Sequence, residues 1–255
     1  MSCDFEEMFG EIVGYGAQAT VYARGDYAVK LYREDYQKEF VFAEGHMMAM
    51  LEKIQFPSPK VYEILLVDGR YGLRMERVKG KAVGEDLLDP TKRDATLDAL
   101  VDLQIHLQKH EAPDAFSLKQ RYYTQLKQST RLSEDIKKEL LIELDKLPDG
   151  QALCHCDFHG GNVFFDGTKC TIIDIAQLSK GDPAADAACS YVAYYLVNQD
   201  LAEIYLNKYC TKSEISKKEV KRWARVYAGT LLGQVPEHFT PIIEHVLAAA
   251  GAANE

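Results

Sequence analysis

Residues 153–186 read L-C-H-C-D-F-H-G-G-N-V-F-F-D-G-T-K-C-T-I-I-D-I-A-Q-L-S-K-G-D-P-A-A-D, and the rest of the chain takes its meaning from them. Asp157 and Asn162 share a short turn, and Asp174 ends the strand that follows. Between them Asp166-Gly167 is a tight reversal signal, which predicts a hairpin that brings the three polar side chains together.

Two carboxylates and an amide so arranged suit phosphoryl transfer. Moving a γ-phosphoryl group to an alcohol asks a protein for positioning, charge neutralisation and an acceptor for the hydroxyl proton. Asp157 is the expected base. Mg²⁺ prefers oxygen donors and takes only one or two from protein, which Asn162 and Asp174 can supply. Asp and Asn also occupy turns simply because they hydrogen-bond their own backbone, and any one of these residues alone would be read that way.

The run H-x-D-F-H-x-G-N-V, followed by I-I-D and then G-D-P-x-x-D, resembles the aminoglycoside phosphotransferase family of small-molecule kinases in the protein-kinase-like superfamily. The interval from Asp157 to Asn162 also matches the kinase pattern H-R-D-x-x-x-x-N. This resemblance implies Asp157 as catalytic aspartate and Asn162 and Asp174 as metal-binding groups. It further implies an α+β, two-lobed protein-kinase-like fold. Residues 1–79 would form a small antiparallel-sheet lobe with one helix that binds the nucleotide. Residues 80–255 would form a mainly helical lobe with the catalytic loop and the acceptor site. By the same resemblance His155 packs behind the catalytic loop, Asp186 braces that loop as a structural acceptor, and Asp182 caps the helix after it. Cys154, His155, Cys156 and His159 invite a zinc reading, but structural zinc sites use two ligand pairs with wider internal loops, and no second such pair occurs.

The N-terminal half fits a nucleotide site. Residues 11–32, E-I-V-G-Y-G-A-Q-A-T-V-Y-A-R-G-D-Y-A-V-K-L-Y, predict three antiparallel strands from their β-branched and aromatic content and their glycine-containing turns. Gly14 and Gly16 are expected in the first turn, where backbone could close over phosphates, with Ala19 at the place of the last glycine in a kinase-type loop. Lys30 follows one strand later, as the phosphate-binding lysine does in kinases. Phe40, Ala43, Met47, Met50 and Leu51 recur at helical spacing, and Glu44 on that helix is the expected partner of Lys30, with Glu39 as fallback. Resemblance assigns the Glu76 carbonyl and the Val78 amide to adenine. Val21, Ala28, Met75, Phe164 and Ile173 are candidates for the apolar walls, although each alone would be ordinary core.

The chain has 255 residues, 47% of them hydrophobic, enough for two lobes with a buried core. Amphipathic helices are expected over 91–111, 117–131 and 133–147, and a capping box at Ser216 to Glu219 opens a later one. The tail after Ala248 is expected to fray. No apolar run is long enough to span a bilayer, and the N-terminus lacks a basic region followed by an apolar one, so a cytoplasmic protein is expected. Six cysteines are compatible with reduced thiols there. A net charge of −9 disfavours nucleic acid and anionic membranes and gives slight weight to an amine-bearing acceptor.

A protein kinase would share this machinery, but the short interval from Asp174 to Gly181 leaves little room for an activation segment and peptide-docking platform. A nucleotide-binding pseudoenzyme is the alternative from another class, and the presence of Lys30, Asp157, Asn162 and Asp174 argues against it. The reading is an ATP- and Mg²⁺-dependent kinase acting on a small-molecule hydroxyl, possible acceptors being an aminoglycoside or other amine-bearing alcohol, with choline, homoserine, thiamine and sugars as alternatives. Asp182, Tyr191, Tyr195, Glu237 and His238 are candidate acceptor contacts. The sequence leaves the oligomeric state open.

Overall fold

Strands rich in β-branched and aromatic residues build the first half of the molecule. The computed structural model describes residues 4–249. A short helix α1 (Phe5–Phe9) precedes strands β1 (Glu11–Tyr15), β2 (Ala19–Arg24) and β3 (Tyr27–Tyr32). Helix α2 (Lys38–Lys53) and strands β4 (Val61–Val67), β5 (Arg70–Glu76) and β6 (Lys81–Ala82) follow. Next come helices α3 (Arg93–Gln108), α4 (Leu118–Gln128) and α5 (Glu134–Lys146), then strands β7 (Ala152–Cys154), β8 (Val163–Phe165), β9 (Cys170–Ile172) and β10 (Ser179–Gly181). Helices α6 (Pro183–Val197), α7 (Gln199–Ser213), α8 (Lys217–Leu231) and α9 (Thr240–Ala249) complete the described chain. The expected fraying of the tail falls on residues outside this range.

The chain divides into two compact units, one of residues 1–83 with 161–176 and one of residues 84–160 with 177–255. In the first, an antiparallel sheet runs in the order β1-β2-β3-β5-β4. Strands β4 and β5 turn at Asp68-Gly69, both at positive φ, the pairing a two-residue hairpin of matching twist demands. Directly opposed residues share a face, so Val21, Lys30 and Leu73 lie on one side together with Ala28 and Met75. The other side carries Tyr22, Val29 and Leu31, against which Phe9 of α1 packs. Helix α1 was not anticipated; its signal is Asp4, whose carboxylate caps the Glu6 and Glu7 amides.

Helix α2 covers the Lys30 side. A Cβ on Gly45 would lie 3.3 Å from Leu73 Cδ2, so the helix backbone approaches the sheet at that glycine. This phase buries Val41, Glu44, Met48 and Leu51 and leaves Phe40, expected on the apolar stripe, 53% exposed beside Tyr36. A second sheet of order β6-β8-β9 completes this unit. Gly80 sits at φ 95°, where a Cβ would stand 2.1 Å from the Phe165 carbonyl oxygen, so glycine is required for the close approach of β6 to β8.

The second unit is helical around α6, whose residues from Ala184 to Val192 are all buried. Strand β10 pairs with β7, Ser179 opposite Cys154. The three expected amphipathic helices are α3, α4 and α5, and the stripe on α5 buries Leu140 and Leu144. Helix α8 opens on the expected capping box, Ser216 and Glu219 exchanging bonds. Among the described residues no helix is long and apolar enough to cross a membrane.

Candidate active site

In the first unit the site is built around Lys30. Placed on β3 and facing α2, its ammonium donates to Glu44 Oε1 at 2.8 Å and to Asp174 Oδ1 at 3.0 Å. The Lys30 side chain is only 13% exposed and that of Glu44 4%, whereas Asp174 is half exposed. Burial alone would lower the Lys30 pKa, but the Glu44 and Asp174 carboxylates outweigh it and hold the amine above its ordinary value, so it is charged at neutral pH. The Tyr32 hydroxyl donates to the second oxygen of Glu44 at 2.5 Å, so this buried carboxylate is satisfied on both sides. Glu44 rather than Glu39 is the partner because α2 turns Glu39 to solvent.

Val21, Ala28 and Met75 share the sheet face of Lys30. Gly14 is corrected in one respect: it lies within β1, opposite Val21 and beside a bulge, and the turn itself starts at Gly16, whose N–H donates to the Ala19 carbonyl at 2.8 Å. The bulge adds the residue that shifts Gly14 into the strand. Neither glycine is demanded by the protein's own backbone. A Cβ on Gly14 would come no closer than 3.8 Å to Val21, and one on Gly16 would meet only the Ala19 carbonyl oxygen at 3.4 Å. Glu76 ends β5, and Val78 follows after Arg77, whose N–H is taken by Asp26.

Asn162 and Asp174 also lie in this unit. The β8–β9 hairpin pairs Val163 with Ile172, and the Ile173 N–H donates to the Asn162 carbonyl at 2.9 Å, tying the segments that carry both side chains. The hairpin turns as expected at Asp166-Gly167, with Gly167 at φ 98°. The Asp166 carboxylate accepts from Thr168 N, Thr168 Oγ1 and Lys169 N, which pull its pKa down to about 2. Phe164 and Ile173 are both partly buried. Asp174 has a left-handed backbone, φ 54°, which Asp tolerates better than most residues. Its half-exposed carboxylate and the Asn162 amide are hard oxygen donors, a set that fits Mg²⁺ with its preference for few protein ligands. Among the described residues no group of three or more His, Cys, Asp and Glu side chains is placed to hold a metal ion.

In the second unit β7 leads into the loop that carries Asp157. Cys156 adopts φ 66°, strained for a residue with a side chain. Asp186 holds it there: fully buried, its Oδ1 accepts the Cys156 N–H at 2.7 Å and its Oδ2 accepts Gln104 Nε2 and Gln108 Nε2, each at 2.8 Å. These two glutamines on α3 were not singled out in the sequence, and nothing local marks them. Asp157 follows, 32% exposed, with His159 Nε2 3.6 Å from its Oδ1. His155 is buried and packs edge-on against Phe158 at 5.6 Å, as expected of a residue behind the loop. Asp182 caps α6 through the Ala184 N–H, and the buried Tyr191 donates to Glu203. Both are thereby engaged within the fold. Tyr195 stacks on His245 at 6.1 Å, and Glu237 and His238 lie exposed in the turn before α9.

A family model described as the phosphotransferase enzyme family matches residues 11–227. No curated protein sequence matches the chain. Among solved structures, amicoumacin kinase hAmiN in complex with AMP-PNP, Ca²⁺ and Ami superposes with a TM-score of 0.70 at 12% identity, over 92% of this chain and 87% of that one. The aminoglycoside phosphotransferase APH(3'')-Id from Streptomyces rimosus, solved with ADP and streptomycin, gives 0.66 at 17% identity, over 86% and 92%. A choline/ethanolamine kinase family protein from Mesorhizobium loti gives 0.60 at 17%, over 95% and 86%. The fold is that of protein-kinase-like phosphotransferases.

Proposed function

This chain belongs to the phosphotransferase enzyme family, and from that premise we propose that it transfers the γ-phosphoryl group of ATP to a hydroxyl of a small molecule in an Mg²⁺-dependent reaction. The observation that carries this reading is the Lys30 ammonium, buried and held charged between Glu44 and Asp174. A compact, oriented point charge is what phosphate oxygens require, and the absence of side chains at Gly14 and Gly16, which the protein's own packing does not demand, leaves backbone free to approach them.

Asp157 accepts the hydroxyl proton. The acceptor oxygen bonds to the γ-phosphorus as the bond from that phosphorus to the β,γ-bridging oxygen breaks, ADP departs with the bonding pair, and the proton later leaves Asp157 for solvent. Asn162 and Asp174 would hold Mg²⁺, which when bound neutralises charge on the phosphate oxygens. Val21, Ala28, Met75, Phe164 and Ile173 would line the adenine site, with the Glu76 carbonyl and Val78 amide reading the base. Aminoglycosides and other amine-bearing alcohols open the acceptor panel, because structures of similar fold were solved with streptomycin and gentamicin.

The test is Mg²⁺-dependent ADP release by wild type and Asp157→Ala across aminoglycosides, choline, amino alcohols and sugars. Stimulated release in wild type and its loss in the variant, with ATP binding retained, is the expected outcome. Near-normal turnover by Asp157→Ala would remove that residue from its role, and ATP binding without turnover on any acceptor would favour a regulatory protein.

A further inference from the structure

Between Asp114 and Glu134 the chain carries no carboxylate, although overall it has 39 acidic against 30 basic residues. The cations of this stretch are Lys119, Arg121, Lys127 and Arg131. Lys119 donates to the Asp145 and Leu147 carbonyls, Lys127 lies 5.5 Å from the Tyr123 ring centroid, and Arg131 packs on Gly233. Arg121 does something else. From α4 it reaches the catalytic loop, donating Nη1 to the Gln177 carbonyl at 3.0 Å, with Cys156 and Cys189 as its near neighbours.

Neither thiol balances its charge. Burial keeps both protonated, with Cys156 pushed up to about 12 despite the guanidinium beside it. Among the described residues no carboxylate is ion-paired with Arg121, and the groups that act most strongly on its charge are the Cys156 and Cys189 thiols and the Tyr122 phenol. A guanidinium carries five donors in a planar fork that matches the two oxygens of a carboxylate or phosphate. Here one donor serves Gln177 and a thiol is a weak acceptor, so most of the fork is unused. Withdrawing such a charge partly from water costs free energy that a neutral glutamine bracing the same carbonyl would not incur. The charge is therefore placed for something that binds. Its location is specific: the Gln177 carbonyl that it binds lies two residues before Ser179, which pairs with Cys154, and Cys156 immediately precedes Asp157.

We propose that Arg121 is an acceptor-binding residue that grips an anionic group, a carboxylate or a phosphate, on the alcohol that is phosphorylated. This rests on the phosphotransferase reading with Asp157 as base. An amine elsewhere on the acceptor is compatible with it; a purely cationic acceptor is not.

The test uses the full chain with malonate and inorganic phosphate as probes, titrated calorimetrically into wild type, R121Q and R121K, and into K30A with and without R121Q, so that anion held by Lys30 is set apart. R121Q can keep the Gln177 bond, and its melting temperature controls for folding. Wild type should bind at least one anion, malonate pointing to a carboxylate and phosphate to a phosphorylated alcohol. R121Q should weaken that binding at least about tenfold and R121K less, and the loss caused by R121Q should persist in the K30A background. Absence of binding to wild type, or equal binding with and without R121Q in the K30A background, overturns the proposal. In ADP release, hydroxy acids or sugar phosphates should stimulate wild type, and R121Q should raise the acceptor KM at least about tenfold with the ATP KM unchanged. Stimulation by aminoglycosides or choline alone, or a rise confined to the ATP KM, also overturns it. D157A separates the two readings: it should lose turnover yet still bind the anion, and retained turnover would sink the base while leaving the anion site standing.

Discussion

Asp186→Ala is the substitution by which the proposed catalytic loop around Asp157 can be tested most directly. The carboxylate is fully buried and accepts three donors, the Cys156 N–H and the side-chain amides of Gln104 and Gln108. An orphaned buried donor costs about 1–3 kcal/mol. Gln104 has a second acceptor in Ser190 at 3.0 Å and Gln108 a weaker one in the Pro183 carbonyl at 3.4 Å, so their losses are partly offset. The Cys156 amide has no such fallback, and the total comes to about 2–4 kcal/mol. For a chain of this size that lowers the melting temperature by roughly 5–12 °C. Asparagine is no conservative replacement, because its NH₂ must face either the Cys156 N–H or the glutamine amides, donor against donor. Cys156 would then be free to leave its left-handed conformation and carry Asp157 with it. A displacement of about 1 Å costs on the order of a hundredfold in kcat, with the ATP KM unchanged. Thermal melting and initial-rate kinetics on Asp186→Ala and Asp186→Asn measure both effects. A melting point within about 2 °C of wild type, or a kcat reduced less than about threefold, would refute the claim that this carboxylate sets the loop.

Three further outcomes can be measured. Glu44→Gln should raise the ATP KM and lower stability. Because the Lys30 pKa lies above its ordinary value, the ion-pair contribution is fully present below the unfolded value of 10.5 and disappears only as pH rises through the folded one. The stability difference from wild type should therefore be flat between about pH 6 and 9, and a slope in calorimetric unfolding there would contradict it. Gly16→Val should melt within about 2 °C of wild type yet bind ATP more weakly, since the space it fills is open to the protein and needed by phosphates; equal ATP binding by titration calorimetry would argue against a phosphate loop. Asp166, held at about 2, stabilises the hairpin above its unfolded value of 3.8 and loses that contribution as pH falls through the folded value. Thr168→Ala should move the Asp166 carboxyl titration upward in NMR, and an unchanged midpoint would exclude the Thr168 bonds as its cause.

What the sequence disclosed is what short-range chemistry encodes. The β-branched and aromatic strands with their glycine-containing turns in residues 11–32, the Asp166-Gly167 reversal and the Ser216–Glu219 cap each depend on neighbours a few residues away, and all three formed as expected. Lys30 and Glu44 were matched across a strand and a helix only because the order of motifs resembled that of kinases. Phe40 fell on the wrong side of α2 because helical spacing alone does not fix the phase; the close approach at Gly45 does, and it depends on Leu73. Gly14 entered β1 through a bulge that no residue type announces. Gln104, Gln108 and Arg121 stayed hidden for the same reason. Their partners lie 56 to 101 positions away, and each reads locally as an ordinary polar residue on a helix.

The first unit is not contiguous in the chain: it needs residues 161–176 as well as 1–83. During synthesis the sheet β1–β5 can leave the ribosome and form early, but β6 finds its partner β8 only after helices α3, α4 and α5 have been made. Until then the edge of β6 is unpaired and Lys30 lacks Asp174, so the nascent unit is a folding intermediate rather than an independently maturing domain. A gene fragment ending at residue 83 should thus behave as an incomplete product, and adding residues 161–176 as a separate peptide offers a route to complementation.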